Sequence, residues 1–107
     1  MADACCPSAP DCCDMRGMLS FLILWLLSKA PLNGRELSEE LGKRRGSTPT
    51  PGTIYPALKD LRRKGLVAME RKGRTTVYTL TEQGRDGLTE ACNYFCSVFG
   101  EIFQELQ

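Results

Sequence analysis

GTIYPALKDLRRKGLV, residues 52–67, holds a helix, its stop signal and the first residues of a strand. Ile54, Leu58 and Leu61 recur at helical spacing and give that helix one inward face. Lys59, Arg62, Arg63 and Lys64 fill much of the remaining surface. Gly65 is suited to the left-handed residue that closes a helix. Proline is favoured in a first helical turn, so the helix is expected to begin at Thr50 or Pro51 and to run to Lys64.

Downstream the period changes. Leu66, Val67 and Met69 precede Lys72-Gly73-Arg74, and Val77, Tyr78 and Leu80 follow, which reads as a β-hairpin. Thr81 is placed to cap a last helix that continues to the end of the sequence. Along it Leu88, Cys92, Phe95, Phe99, Ile102 and Leu106 are spaced 4, 3, 4, 3, 4, a heptad seam.

Upstream, Lys43–Gly52 is rich in turn formers and cations. Before it lies a second helix, with Asn33 as its cap, Glu36 completing a capping box, Leu37 and Leu41 inward, and Gly42 as its end. The first helix is expected over 16–29. Leu19, Ile23, Leu26 and Leu27 form one face, and Phe21, Leu24 and Trp25 another, until Ala30-Pro31 stops it. The fold class is therefore mainly α with a small β-hairpin: a winged helix-turn-helix plus a long C-terminal dimerisation helix. Residues 1–15 are expected to be a mobile Cys-rich arm, 16–81 the winged-helix DNA-binding domain, and 82–107 the dimerisation helix.

The 107 residues suit one domain, with 42% apolar and 25% charged residues. A net charge of +1 conceals an uneven distribution: Arg35–Arg74 holds eleven Lys/Arg against five Asp/Glu, whereas the flanks are acidic. The cations fall between the second and third helices (Lys43, Arg44, Arg45), on the third helix (Lys59), and at the hairpin tip (Lys72, Arg74). Those are the places a winged helix offers to the major groove and flanking phosphates. Thr48, Thr50 and Thr53 supply short hydrogen-bonding groups near the start of the third helix. Tyr55 either reaches a phosphate or base or packs inside.

Enzymatic chemistry finds no support. There is no histidine, no glycine-rich phosphate loop after a strand and no nucleophile elbow. Met18–Leu27 is strongly apolar but far shorter than the roughly 20 residues a membrane span requires. With no basic-then-apolar leader at the start, a cytoplasmic protein is expected.

Six cysteines in such a compartment suggest free thiols, metal ligands or a redox sensor before structural disulfides. Cys92 and Cys96, one helical turn apart, could share a soft metal ion, with Cys12 or Cys13 brought to them from the arm. No cofactor is otherwise required. A thiol-rich metal-binding or sensing protein, or a protein-interaction module, on the same scaffold is the alternative reading.

The stretch Gly52–Leu61 with Lys64-Gly65-Leu66-Val67 resembles the recognition-helix signature of PadR-type transcriptional regulators. Arg74, Tyr78, Leu80-Thr81-Glu82 and Gly84-Arg85 are similar to that family's wing strand and the start of its last helix. The similarity covers roughly residues 18–107. It implies a DNA-binding regulator, commonly a repressor, with Thr53, Tyr55 and Lys59 toward the groove and Lys72 and Arg74 on the backbone of a palindromic operator. It also implies a homodimer with first and last helices packed across the two-fold axis. Leu19, Ile23, Leu88, Cys92, Phe95, Phe99, Ile102 and Leu106 are the residues expected there. Small, often aromatic, effectors are implied at that interface, where Met18, Phe21 and Trp25 with Phe95 and Phe99 would line a pocket. Two departures stand out: Gly34 is followed by Arg35 where the family often has tyrosine, and the paired wing aromatics are reduced to Val77-Tyr78.

Overall fold

The computed structural model describes residues 18–106. The expected arm, with Cys12 and Cys13, lies outside them. The elements are α1 (Leu19–Lys29), β1 (Leu32–Asn33), α2 (Gly34–Arg45), α3 (Pro51–Arg63), β2 (Val67–Lys72), β3 (Thr75–Leu80) and α4 (Glu82–Glu105).

Local chemistry sets most of the boundaries. Met18 caps α1 with φ 56 and no side-chain cap bond, so the described helix begins at Leu19. Ala30 is extended, as the proline that follows demands. At the head of α2 the capping box forms in full: Asn33 Oδ1 accepts from the Glu36 N–H at 2.7 Å, and Glu36 Oε1 accepts from the Asn33 N–H at 2.9 Å.

The second helix does not stop at Gly42. It continues to Arg45 and closes on Gly46, whose φ of 84 suits glycine and whose N–H donates to the Gly42 carbonyl at 3.0 Å. Gly42 is there for closeness: a Cβ on it would collide with the Thr48 hydroxyl. Lys43, Arg44 and Arg45 thus form the last turn of a helix, where cations favour the negative end of its dipole.

Helix α3 starts on Thr50 with Pro51 in its first turn. The hairpin closes through Lys72 opposite Thr75, and Gly73 takes the positive φ (65) at the first turn position. The sheet has one strand more than the hairpin. Leu32 and Asn33 pair with Tyr78 and Val77, giving the antiparallel order β1-β3-β2. Thr81 then links the wing to α4, since its hydroxyl donates to the Gly65 carbonyl at 2.7 Å and accepts from the Gly84 N–H at 2.9 Å.

The core lies where the first three helices meet the sheet. Ile23, Leu24, Leu37, Leu41, Ile54, Leu58 and Leu61 are fully buried there, joined by Leu66, Val67, Tyr78 and Ala91. At roughly 1.5–3 kcal/mol for each fully buried aliphatic side chain, this cluster is the main driving force for folding. Leu19 and Ile23, expected at a dimer interface, are buried within the chain's own core. The outward side of α1 instead meets α4 through Phe21, whose ring stands edge-on to Phe95 with centroids 4.9 Å apart.

Among the described residues no helix is long and apolar enough to cross a membrane. Helix α4, at 24 residues, extends about 36 Å, and its distal end carries Ile102, Phe103 and Leu106 in the open at 50%, 61% and 80% exposure.

Candidate nucleic-acid interface

The start of α3, the start of α2 and the wing turn converge on one cleft. Tyr55 of α3 lies against Gly34, so closely that a Cβ at that position would collide with the ring. Tyr55 packs on Gly34 and still keeps 47% of its surface exposed. Together with Arg35, Arg74 and Thr76 it lines a space of about 330 Å³. Two guanidinium-bearing residues from distant parts of the chain thereby flank a phenol, an arrangement suited to a phosphate and its neighbouring sugar.

Tyr78 forms the inner wall of this cleft. Burial pushes its hydroxyl above the ordinary tyrosine value, nearby Tyr55 adds to the rise, and Arg62 opposes it. Along the outer side of α3, Lys59, Arg62 and Arg63 line a shallow groove of about 270 Å³. Asp60 moderates that side by pairing with Arg63 at 2.7 Å and Lys64 at 3.1 Å. Hydrogen bonds from Lys64 and then Arg63 hold its carboxyl below the usual range.

The wing tip is held by Arg71, whose Nε donates to the Gly73 carbonyl at 3.2 Å, while Lys72 and Arg74 remain exposed. At the head of α3 the Thr50 and Thr53 hydroxyls lie 3.3 Å apart. Pro56 has no N–H to give the Gly52 carbonyl, so this turn keeps polar groups outside the helix ladder. Thr53 also lines a space of about 400 Å³ between α1 and α3, with Leu19, Ser20 and Asp60.

Not every expected residue joins this surface. Arg45 is exposed and Lys43 pairs with Glu40 at 3.0 Å. Arg44 is exposed as well: its Nη1 donates to the side chain and the backbone carbonyl of Glu40, each at 2.9 Å, and its guanidinium lies over the Trp25 ring. Hydrogen bonds from Lys43 and Arg44 lower the Glu40 carboxyl below its usual range.

Trp25 is covered by cations, with Lys29 Nζ 3.9 Å from its ring centroid. The expected effector pocket is thus partly filled within one chain, by Phe95 against Phe21 and by these cations against Trp25. On α4, Leu88, Phe95 and Phe99 are half-buried, whereas Cys92, Ile102 and Leu106 are exposed. Among the described residues no group of three His, Cys, Asp or Glu side chains could hold a metal ion.

Sequence reasoning missed Arg35. It read the position as a departure from a pattern, although an arginine directly behind a capped glycine was a usable signal.

Three helices, a wing and a cationic side shared among them define a winged-helix protein of the transcription-regulator class. The chain belongs to the PadR-like family of transcriptional regulators, whose profile matches residues 23–90. That family consists of regulators, not enzymes. Over 77 residues, 69% of the chain, it is 36% identical to the transcriptional regulator YqjI of Escherichia coli. The chain spans only 24% to 37% of the length of the curated relatives it matches. Among solved structures it is similar to RosR of H. salinarum, at 32% identity and a TM-score of 0.69, covering 76% of this chain and 74% of that one. It is also similar to a PadR-like transcription factor of Bacteroides fragilis, at 26% identity and a TM-score of 0.71, covering 85% and 91%.

Proposed function

We propose that this regulator is a cytoplasmic, homodimeric repressor that binds a palindromic double-stranded operator and is modulated by an effector. The observation that carries the reading is the cleft in which Arg35, Tyr55 and Arg74 come together from α2, α3 and the wing. A protein partner has no need of cations on α2 and the wing together, with a phenol between them, but a duplex presents phosphates along the whole of that surface. In this reading Thr50, Thr53 and Lys59 meet base edges or sugars in the major groove, Lys72 and Arg74 hold the adjacent backbone, and Lys43 and Arg45 extend the contact.

Dimerisation follows from the exposed end of α4. Ile102, Phe103 and Leu106 each gain roughly 1.5–3 kcal/mol when fully buried, and a second copy of the seam supplies the matching surface. Two-fold symmetry then sets two α3 helices about 34 Å apart, one turn of duplex. The effector acts where α1 meets α4, beside Met18, Phe21 and Trp25, by shifting the spacing of the two wings.

The test is to select DNA from a random pool with purified protein and to titrate the winning sequence against salt. Affinity should fall steeply as salt rises, and the selected site should be an inverted repeat. Binding that ignores salt, or a pool that yields no symmetric site, overturns the reading.

A further inference from the structure

We propose that Ser47 is a phosphorylation site whose occupation weakens operator binding. The phosphoryl donor is a nucleoside triphosphate, and the catalyst is a protein kinase that recognises arginines ahead of a serine. The regulatory role rests on the DNA-binding reading above.

Gly46 ends α2 and Thr50 caps α3, so residues 46–50 lie in neither helix nor strand. Ser47, Thr48 and Thr50 each bring a hydroxyl to this stretch, but only one is idle. The Thr48 hydroxyl lies against Gly42, and the Thr50 hydroxyl lies 3.3 Å from that of Thr53. Ser47 is exposed, and its side chain has no hydrogen-bond partner among the described residues. Nor does any backbone hydrogen bond among them fasten Ser47, Thr48 or Pro49. A kinase draws the residues around the acceptor into its groove, and a stretch with no ladder to break yields most readily.

The charge around Ser47 selects the enzyme. Lys43, Arg44 and Arg45 precede it, all exposed, and no Asp or Glu occurs between Glu40 and Asp60. Glu40 holds Lys43 and Arg44, whereas Arg45 has no ion-pair partner among the described residues. Cations ahead of the acceptor, with no acid close by to oppose them, match a kinase whose substrate groove is acidic. Thr75 also follows cations, but it is fixed in the hairpin opposite Lys72. Backbone freedom therefore favours Ser47 where charge alone would not decide.

In the reaction the Ser47 Oγ attacks the γ-phosphorus of the nucleoside triphosphate. An O–P bond forms, the bond from that phosphorus to the β–γ bridging oxygen breaks, and the nucleoside diphosphate leaves. The hydroxyl proton passes to a carboxylate of the kinase. The product carries about 1.5 to 2 negative charges at neutral pH. It stands at the C-terminal end of α2, where the helix dipole is already negative. Arg45 and Thr50, both assigned above to the duplex, are two and three residues away, a reach of no more than about 11 Å. That is comparable with the screening length of about 8 Å in physiological salt, so the new charge both repels the duplex phosphates and offsets Lys43 and Arg45.

The experiment incubates the folded full chain with magnesium ATP and an extract of the cells that produce it, and locates phosphoryl groups by tandem mass spectrometry. A phosphoryl group on Ser47 is expected, lost in Ser47→Ala and retained in Thr48→Ala. Arg44→Gln/Arg45→Gln should slow the transfer by about tenfold or more. Circular dichroism of each variant checks that it is folded. No transfer, or transfer to Thr75 or another residue in place of Ser47, overturns the site. The phosphorylated and unmodified proteins are then titrated with the selected operator. Affinity should fall by roughly tenfold or more at low salt, the gap should narrow as salt rises, and the slope of log affinity against log salt should drop by about 1 to 2. Ser47→Ala taken through the same treatment should bind like the unmodified protein. Equal affinity of the two forms, or tighter binding by the phosphorylated one, overturns the regulatory role. Transfer to Ser47 in a protein that never binds DNA sinks the DNA reading but not the site, and DNA binding without transfer sinks the site alone.

Discussion

The Arg44 guanidinium lies over the indole of Trp25, with Cζ 4.9 Å from the ring centroid, and so ties the last turn of α2 to the middle of α1. Glu40 fixes the guanidinium from its own helix with two hydrogen bonds. A residue whose charge suits nucleic acid thereby also braces the scaffold. Arg44→Ala should lower stability by about 0.5–1 kcal/mol, the value of a partly exposed cation–π contact. Trp25 is the chain's single tryptophan, so urea unfolding followed by its emission reads the loss, and the folded baseline should shift as well.

Arg35→Ala and Arg74→Ala test the cleft against that background. Each should weaken binding to all DNA sequences alike and reduce the slope of log affinity against log salt by about 1. Arg44→Ala should leave that slope unchanged. An anisotropy titration at several salt concentrations separates the three variants, and an Arg35→Ala slope equal to the wild type removes Arg35 from the interface.

Much of this organisation is legible in the sequence, and the failures have physical causes. Ile54, Leu58 and Leu61 announce α3 because their spacing is the helix period, and Gly65 and Gly73 both adopt the positive φ that turns require. Gly42 misleads, because a glycine that allows close approach looks the same as a glycine that ends a helix; only contact with Thr48 tells them apart. Strand β1 has two residues and no period to detect, and it exists because β3 offers it partners. Two apolar faces on α1 are visible, but which of them turns toward the subunit's own core depends on where α2 and α3 pack. The meeting of Arg35 with Arg74 is likewise a product of the tertiary fold.

Acid should loosen the surface of α2 and α3. Glu40 and Asp60 both have carboxyl pKa values lowered by hydrogen bonds from their basic neighbours. Their contribution is fully present above the ordinary carboxylate range and is lost as pH falls through the lowered folded values, below about pH 4. Asp60→Asn should flatten the acid limb of a stability-against-pH curve from chemical denaturation and leave the curve's shape near neutrality unchanged. An acid limb as steep as the wild type's would show that Asp60 contributes nothing there.

Two glycines of α4 should respond to alanine in opposite senses. A Cβ at Gly84 runs into the Leu66 carbonyl and the Leu80 side chain. The carbonyl belongs to the backbone where the wing begins and already accepts from the Thr81 N–H, so it has little freedom to retreat. Gly84→Ala should cost about 1–3 kcal/mol or more, the range for overpacking a well-packed site. A Cβ at Gly100 would meet nothing within 4 Å, and Gly100→Ala should raise stability by roughly 0.5–1 kcal/mol through helix propensity alone. Thermal melts of the two variants against the wild type decide both.

The exposed end of α4 gives the remaining prediction. Ile102 and Phe103 touch little of their own chain, so Ile102→Asp/Phe103→Asp should leave the helical circular dichroism of the subunit nearly intact. If the seam joins two copies, charge placed on it desolvates two carboxylates per chain on association and shifts the equilibrium toward single subunits. Sedimentation velocity should then show a species of half the mass. Operator affinity should fall with it, because the second half-site is no longer tethered to the first, and losing that effective concentration alone weakens binding by roughly 10²- to 10⁴-fold. A double variant that still sediments as a dimer would place the two-fold interface somewhere other than this end of α4.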